Sequence, residues 1–196
     1  MNYPLTLTFK LWALAPQIFV RDTQQNVVFY VKQKLFKLKE KITVFGDEAQ
    51  QTPKFYIQAD RIIDFSARYN FSDVNGNQLG SVKRKGWKSL WKAHYDIFAP
   101  NSDQPIMVIH EENPWVKVFD TLFAEIPIIG LFTGYVFNPK YLVSRTDGRI
   151  VMHLQKEPAF LSRIFTIKKV DSLSEAEEKT ALLSLLMMIL LEKQRG

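Results

Sequence analysis

Three histidines, His94, His110 and His153, are the only imidazoles in the chain, and they are widely separated in the sequence. Barrel strands could bring two of them together, but no local spacing points to a metal site. There is no Cys, which excludes disulfides, a thiol nucleophile and every thiolate metal centre. No nucleophile elbow anchors a Ser-His-Asp arrangement. Gly130-Leu131-Phe132-Thr133-Gly134 lacks the lysine of a phosphate loop and reads as packing or a membrane-facing loop. Glu111 and Glu112 are adjacent, which does not make a catalytic carboxylate pair. Asp73, Asn75 and Asn77 offer alternate oxygens but have no closing Glu at the twelfth position, so a hairpin turn accounts for them better than calcium. No catalytic, cofactor-binding or metal residues are expected, and no cofactor.

The remaining chemistry is basic. The chain has 196 residues with 26 Lys+Arg against 20 Asp+Glu, a net charge of +6. Residues 1–100 hold 15 basic and 8 acidic residues; residues 101–196 hold 11 and 12. The excess concentrates at Lys32, Lys34, Lys37, Lys39 and Lys41, then at Lys83, Arg84, Lys85, Lys88 and Lys92. Basic surface attracts phosphate, on lipid or on nucleic acid. Strand parity limits the grouping: Lys83 and Lys85 share one face while Arg84 takes the other, and Lys37, Lys39 and Lys41 share parity. The candidate anion- or lipid-binding residues are Lys37, Lys39, Lys41, Lys83, Lys85, Lys88 and Lys92. The plainer reading is a charged face that keeps the protein soluble.

These residues must be positioned by strands. Phe55, Ile57 and Ala59 alternate with polar neighbours, as do Phe65, Ala67, Tyr69 and Phe71, and then Trp91, Ala93, Tyr95 and Ile97. Asn75-Gly76 supplies a tight turn into a strand over 78–85, and Thr146-Asp147-Gly148 joins Tyr141–Arg145 to a strand in which Ile150, Met152 and Leu154 alternate. Further strands are expected over 5–12, 26–32, 41–46 and 163–169. Ten to twelve short strands without an αβ rhythm argue against a parallel nucleotide-binding fold.

Two segments break the pattern. Asn113-Pro114-Trp115 opens a short helix that ends before Pro127, followed by an apolar loop over 126–137. At the C-terminus, Ser174 and Glu177 have capping-box spacing, and Ala181–Leu191 is apolar except for Ser184. That helix, expected over 175–193, has no polar stripe and must be buried on every side. Eleven residues span only about 17 Å against a hydrocarbon core of about 30 Å. A membrane crossing is therefore not expected. An antiparallel sheet that closes around the helix satisfies both the helix and the sheet's own edges.

At this point Phe29-Tyr30-Val31-Lys32-Gln33-Lys34-Leu35-Phe36-Lys37-Leu38-Lys39-Glu40-Lys41, with Gly80–Lys85 and Ser89-Leu90-Trp91, resembles the LURP-one-related family, which belongs with the phospholipid scramblases and tubby C-terminal domains. The resemblance runs from about residue 25 to 193. It implies a closed antiparallel barrel of about twelve strands around a central hydrophobic C-terminal helix, here as one domain over 1–196. The 112–138 segment, with its short extra helix, is an addition to that plan. Tubby domains bind phosphoinositide headgroups through basic barrel side chains, whereas many LURP-one relatives have no assigned biochemistry. Two functional expectations stay open: a non-enzymatic scaffold that binds an unidentified protein, or a peripheral binder of anionic phospholipid or phosphoinositide headgroups. Nucleic-acid binding is the third and weakest, because the aromatics follow core parity rather than a stacking surface. The start of the chain has no basic stretch followed by a long apolar run, so no signal peptide is expected. The expected location is cytoplasmic, with attachment to the inner membrane surface under the lipid reading.

Overall fold

The computed structural model describes residues 1–10, 17–32, 41–61, 67–85, 93–112, 139–158 and 163–195, with only the backbone of Arg163 and of residues 193–195. The expected helix that opens at Asn113-Pro114 and ends before Pro127, and the apolar loop over 126–137, lie outside the described residues.

Twelve strands form one closed antiparallel barrel, in which β1 hydrogen-bonds to both β2 and β12. They are β1 (Leu5–Lys10), β2 (Gln17–Arg21), β3 (Val27–Lys32), β4 (Ile42–Phe45), β5 (Pro53–Ala59) and β6 (Arg68–Asp73). β7 (Gln78–Arg84), β8 (His94–Phe98), β9 (Pro105–Glu111), β10 (Lys140–Arg145), β11 (Ile150–Lys156) and β12 (Arg163–Lys169) complete the ring. Every neighbour in the ring is also a neighbour in sequence except the closing pair. Among the described residues one helix, α1 (Glu175–Arg195), follows β12.

Strand parity builds the interior. Leu5, Leu7, Val44, Ile57, Phe71, Val82, Tyr95, Ile97, Ile109 and Val143 are all fully buried and belong to one cluster with the helix residues Ala181, Leu183, Leu185, Leu186 and Met187. Each residue from Thr180 to Leu190 is buried, so the helix runs inside the barrel, as its lack of a polar face requires. Ser184, the one polar residue of the run, donates its hydroxyl to the carbonyl of Thr180 at 2.7 Å and so satisfies itself within the helix.

The helix approaches β7 closely. Gly80 has φ +137°, and a Cβ there would stand 2.5 Å from the Phe98 carbonyl oxygen and 2.7 Å from Thr180 Cγ2. Thr180 uses the space by donating its hydroxyl to the Leu79 carbonyl at 2.6 Å. At the helix start, Ser174 and Glu177 make the expected capping box, with Glu177 N–H donating to Ser174 Oγ and Ser174 N–H to Glu177 Oε2.

One strand reading needs correction. Ile150 is exposed rather than inward, while Val151 is buried. A bulge at Val143/Ser144 pairs Met152 with Val143 but Ile150 with Ser144, so the period-two pattern shifts by one residue at the strand start. Two strands had no sequence reading, β2 and β9. In β9, Met107, Ile109 and Glu111 are buried, while Ile106 and Val108 are only partly buried and Ile106 also packs against the core, which blurs the alternation.

Candidate functional site

Strand direction sorts the molecule into two rims. Odd-numbered strands end, and even-numbered strands begin, at the rim where α1 finishes; call it the helix-end rim. Lys41 stands immediately before β4, Lys83 near the end of β7, and Lys85 just past it, so all three belong to this rim. Lys37, Lys39, Lys88 and Lys92 lie outside the described residues; they belong to the β3–β4 and β7–β8 connections, which join strands at the same rim.

The three described lysines differ in setting. Lys41 is exposed and rests its ammonium 3.3 Å from the centre of the Tyr56 ring. Lys85 is exposed, and its backbone N–H donates to the His94 carbonyl. Lys83 is half-buried on the outer wall, opposite Arg68 on β6 and Asp96 on β8. Among the described residues, no hydrogen bond or ion pair engages the ammonium of Lys83 or Lys85. Lys83 also acts at longer range on Asp60. Burial would raise that carboxyl, but hydrogen bonds from Arg61 and Arg68, with the Lys83 charge, hold it below its ordinary value.

The sequence reading missed two other cations of this rim, Lys10 at the end of β1 and Lys140 at the start of β10. Lys32, named in the first basic cluster, ends β3, so the rim draws on both halves of the chain. It is not uniformly positive: Lys140 stands 3.7 Å from Glu112.

Arg84 takes the opposite face from Lys83, as parity requires, and points into the barrel mouth, 6% exposed. There it meets the last turns of α1. Its guanidinium stands 3.5 Å from Glu192 Oε1, which also accepts the Tyr95 hydroxyl at 2.7 Å. Glu111 and Tyr141, directly opposite each other on β9 and β10, are buried inward neighbours. Burial, then the charges of Glu111 and Glu192, push the Tyr141 phenol above its ordinary range, so it stays neutral. This cluster latches the helix end. Parity with Val82 was the signal that could have found Arg84; nothing local could have found Glu192 as its partner.

At the other rim the Asp73 turn is the hairpin expected. Asp73 Oδ1 accepts the amides of Asn75 and Asn77 at 2.9 Å, and Oδ2 accepts the Asn77 side chain at 2.7 Å. The Asn77 side-chain bond leads the interactions that hold the Asp73 carboxyl below its ordinary value. Among the described residues, no three metal-ligating groups converge, and no helix is long and apolar enough to cross a membrane.

The fold and this rim define an antiparallel barrel closed on its own C-terminal helix, carrying basic side chains at the helix-end rim. The chain belongs to the LURP-one-related family, whose model matches residues 27–189. It is also similar to an X-ray structure of a protein from Arabidopsis thaliana, with 17% sequence identity and a TM-score of 0.49, over 98% of this chain and 93% of that one. No curated protein matches the chain.

Proposed function

We propose that this LURP-one-related barrel is a non-enzymatic module that docks its helix-end rim on anionic phospholipid headgroups. The observation that carries this reading is the common rim of Lys41, Lys83 and Lys85, with the ammonium groups of the last two unpaired among the described residues. Each basic residue near an anionic leaflet contributes about 1 kcal/mol, so a handful suffices for reversible attachment. The attraction fades over about 8 Å at physiological salt, which makes end-on contact necessary.

Vesicle sedimentation tests it, with phosphatidylcholine alone against phosphatidylcholine carrying about one-fifth phosphatidylserine. The mixed vesicles should bind the protein and the neutral ones should not. Lys83→Glu with Lys85→Glu should weaken binding at least about ten-fold, while Arg149→Glu at the opposite rim leaves it unchanged. Equal weak binding to both vesicles, with no effect of the double variant, would remove the lipid reading in favour of a protein-binding scaffold. Salt-sensitive binding to duplex or single strands, with vesicles ignored, would favour nucleic acid.

A further inference from the structure

Strand register gathers all three histidines of the chain on one row of the outer wall. His94 on β8 stands directly opposite His110 on β9, His110 opposite Leu142 on β10, and Leu142 opposite His153 on β11. Their strand neighbours Tyr95, Ile109 and Met152 belong to the core, so parity turns the three imidazoles outward. The row runs obliquely to the barrel ends. His94 is the first residue of β8 and His110 the last but one of β9, so both stand at the helix-end rim. His153 lies three residues before the end of β11, about 10 Å from that rim. That is beyond the reach of about 8 Å left to a charge at physiological salt.

A phosphate-bearing surface docked on this rim meets the two imidazoles beside Lys83 and Lys85 of the β7 end and Lys140 of the β10 start. Imidazole is the side chain whose charge ordinarily changes between about pH 5 and 8. We infer that docking of the helix-end rim on anionic headgroups is coupled to proton uptake at the opposed His94 and His110, so that the barrel holds such a surface more tightly in acid. This inference rests on the docking reading above and adds its regulation.

Among the described residues, charged groups face the pair from each neighbouring strand. On β8, Asp96 Oδ1 stands 3.5 Å from His94 Nε2, and both atoms are buried without a hydrogen-bond partner. A proton held between them engages both. Just past β9, Glu112 favours a charged His110, although it is shared with Lys140, 3.7 Å away at the start of β10. From β7, Lys83 lies opposite Asp96, and the Lys85 amide bonds the His94 carbonyl; both ammonium groups oppose a further cation. Burial, then the neighbouring His94, hold the His110 imidazole below its ordinary value, so in the free protein its charge enters late. An anionic surface reverses that balance, because it offsets the lysines and attracts each new charge. Whatever a proton adds to docking, docking adds to proton affinity. A leaflet at about −30 mV also concentrates protons about three-fold beside it.

Vesicle sedimentation of the full chain tests the coupling. One set of vesicles is phosphatidylcholine with about one-fifth phosphatidylglycerol, whose phosphodiester does not titrate in this range; the other is phosphatidylcholine alone. Binding to the anionic set should strengthen about ten-fold from about pH 7.5 to about pH 5.5. His94→Gln with His110→Gln should cut that rise to less than about two-fold, and His153→Gln should keep it whole. Circular dichroism at both pH values checks that each variant folds. The parent chain supplies a measurement that needs no variant: mixed with anionic vesicles in weak buffer at about pH 6, it should withdraw protons from the solution. Binding that is equal at both pH values, a rise that the double variant keeps, or an absence of proton uptake overturns the coupling and leaves the docking reading standing. An equal rise on phosphatidylcholine alone also overturns it, because acid is then exposing apolar surface rather than adding charge. No binding at either pH removes the docking reading and the coupling with it.

Discussion

At the rim where α1 begins, the chain reverses in short turns built around aspartates that accept the turn's own amides. Asp22 takes those of Gln24 and Asn26, Asp47 those of Gln51 and Thr52, Asp73 those of Asn75 and Asn77, and Asp147 that of Arg149. The inter-element connections there hold Asp22, Asp47, Glu48, Asp103, Asp147 and Asp171 against one basic residue, Arg149, and no aromatic residue. At the helix-end rim the described residues include Lys10, Lys32, Lys41, Lys85 and Lys140 at strand ends. One rim has therefore spent its polar groups on itself, and the other carries the residue type that suits an interface between water and something less polar. Self-satisfied turns close a fold; exposed lysines at the other rim are what the docking reading uses.

Both rims depend on the same helix, and the first way to break the contrast is to remove that shared support. Leu186→Asp puts a carboxylate into the barrel interior, at a cost of several kcal/mol. The variant should lose cooperative unfolding altogether, and a soluble, cooperatively folded product would sink the buried-helix architecture. The two ends of the helix should then respond unequally. Arg84→Met takes the guanidinium from Glu192, which keeps the Tyr95 hydroxyl, and should cost about 3 kcal/mol in denaturant unfolding. Arg145→Met, at the half-exposed pair with Glu177, should cost only about 1 kcal/mol. Equal losses would erase the distinction between a buried latch and an exposed one. Gly80→Ala adds a Cβ at a positive φ against the Phe98 carbonyl, and a loss of about 1–3 kcal/mol should appear as a lower melting temperature. Ser174→Ala removes the cap and should cost about 1 kcal/mol.

The smallest expected effect is a pH dependence confined to the helix start. The Arg145 side-chain bonds, against some burial and aided by Ser174, hold Glu177 down to about 2 from an ordinary 4.5. A carboxyl held low in the fold contributes stability that is whole above its unfolded value and is lost as pH falls toward the folded one. Acid unfolding between about pH 4.5 and 2 should therefore be shallower in Glu177→Gln than in the parent chain. Identical slopes would show that the pairing adds nothing to the fold.

Much of the architecture was legible because it rests on local rules. Period two marked most of the strands, Asn75-Gly76 and Asp147-Gly148 marked turns, and Ser174 with Glu177 marked the helix start. The exceptions have local causes as well. Ile150 misled because a bulge on the pair shifts its register, and β9 hid because apolar residues occupy both its faces and an inward Glu111 interrupts its core side. Arg84 was legible as facing away from Lys83, yet its role was not, since its partner Glu192 lies 108 residues later in the chain.

By itself, the sequence determined that this chain needs a closed shell of strands: Ala181–Leu191 offers water no polar face, and burial on all sides follows from the free energy of apolar surface. It determined equally that the cations are unevenly distributed along the chain. Only the tertiary structure decided which residues stand together. Register sets His94 against His110 and Lys83 against Asp96, and the twelve-strand closure brings Lys10, Lys32, Lys41, Lys85 and Lys140 to one rim. Those contacts join residues far apart in sequence, so they exist only once strand pairing has fixed each strand's neighbour, and no local pattern encodes that choice.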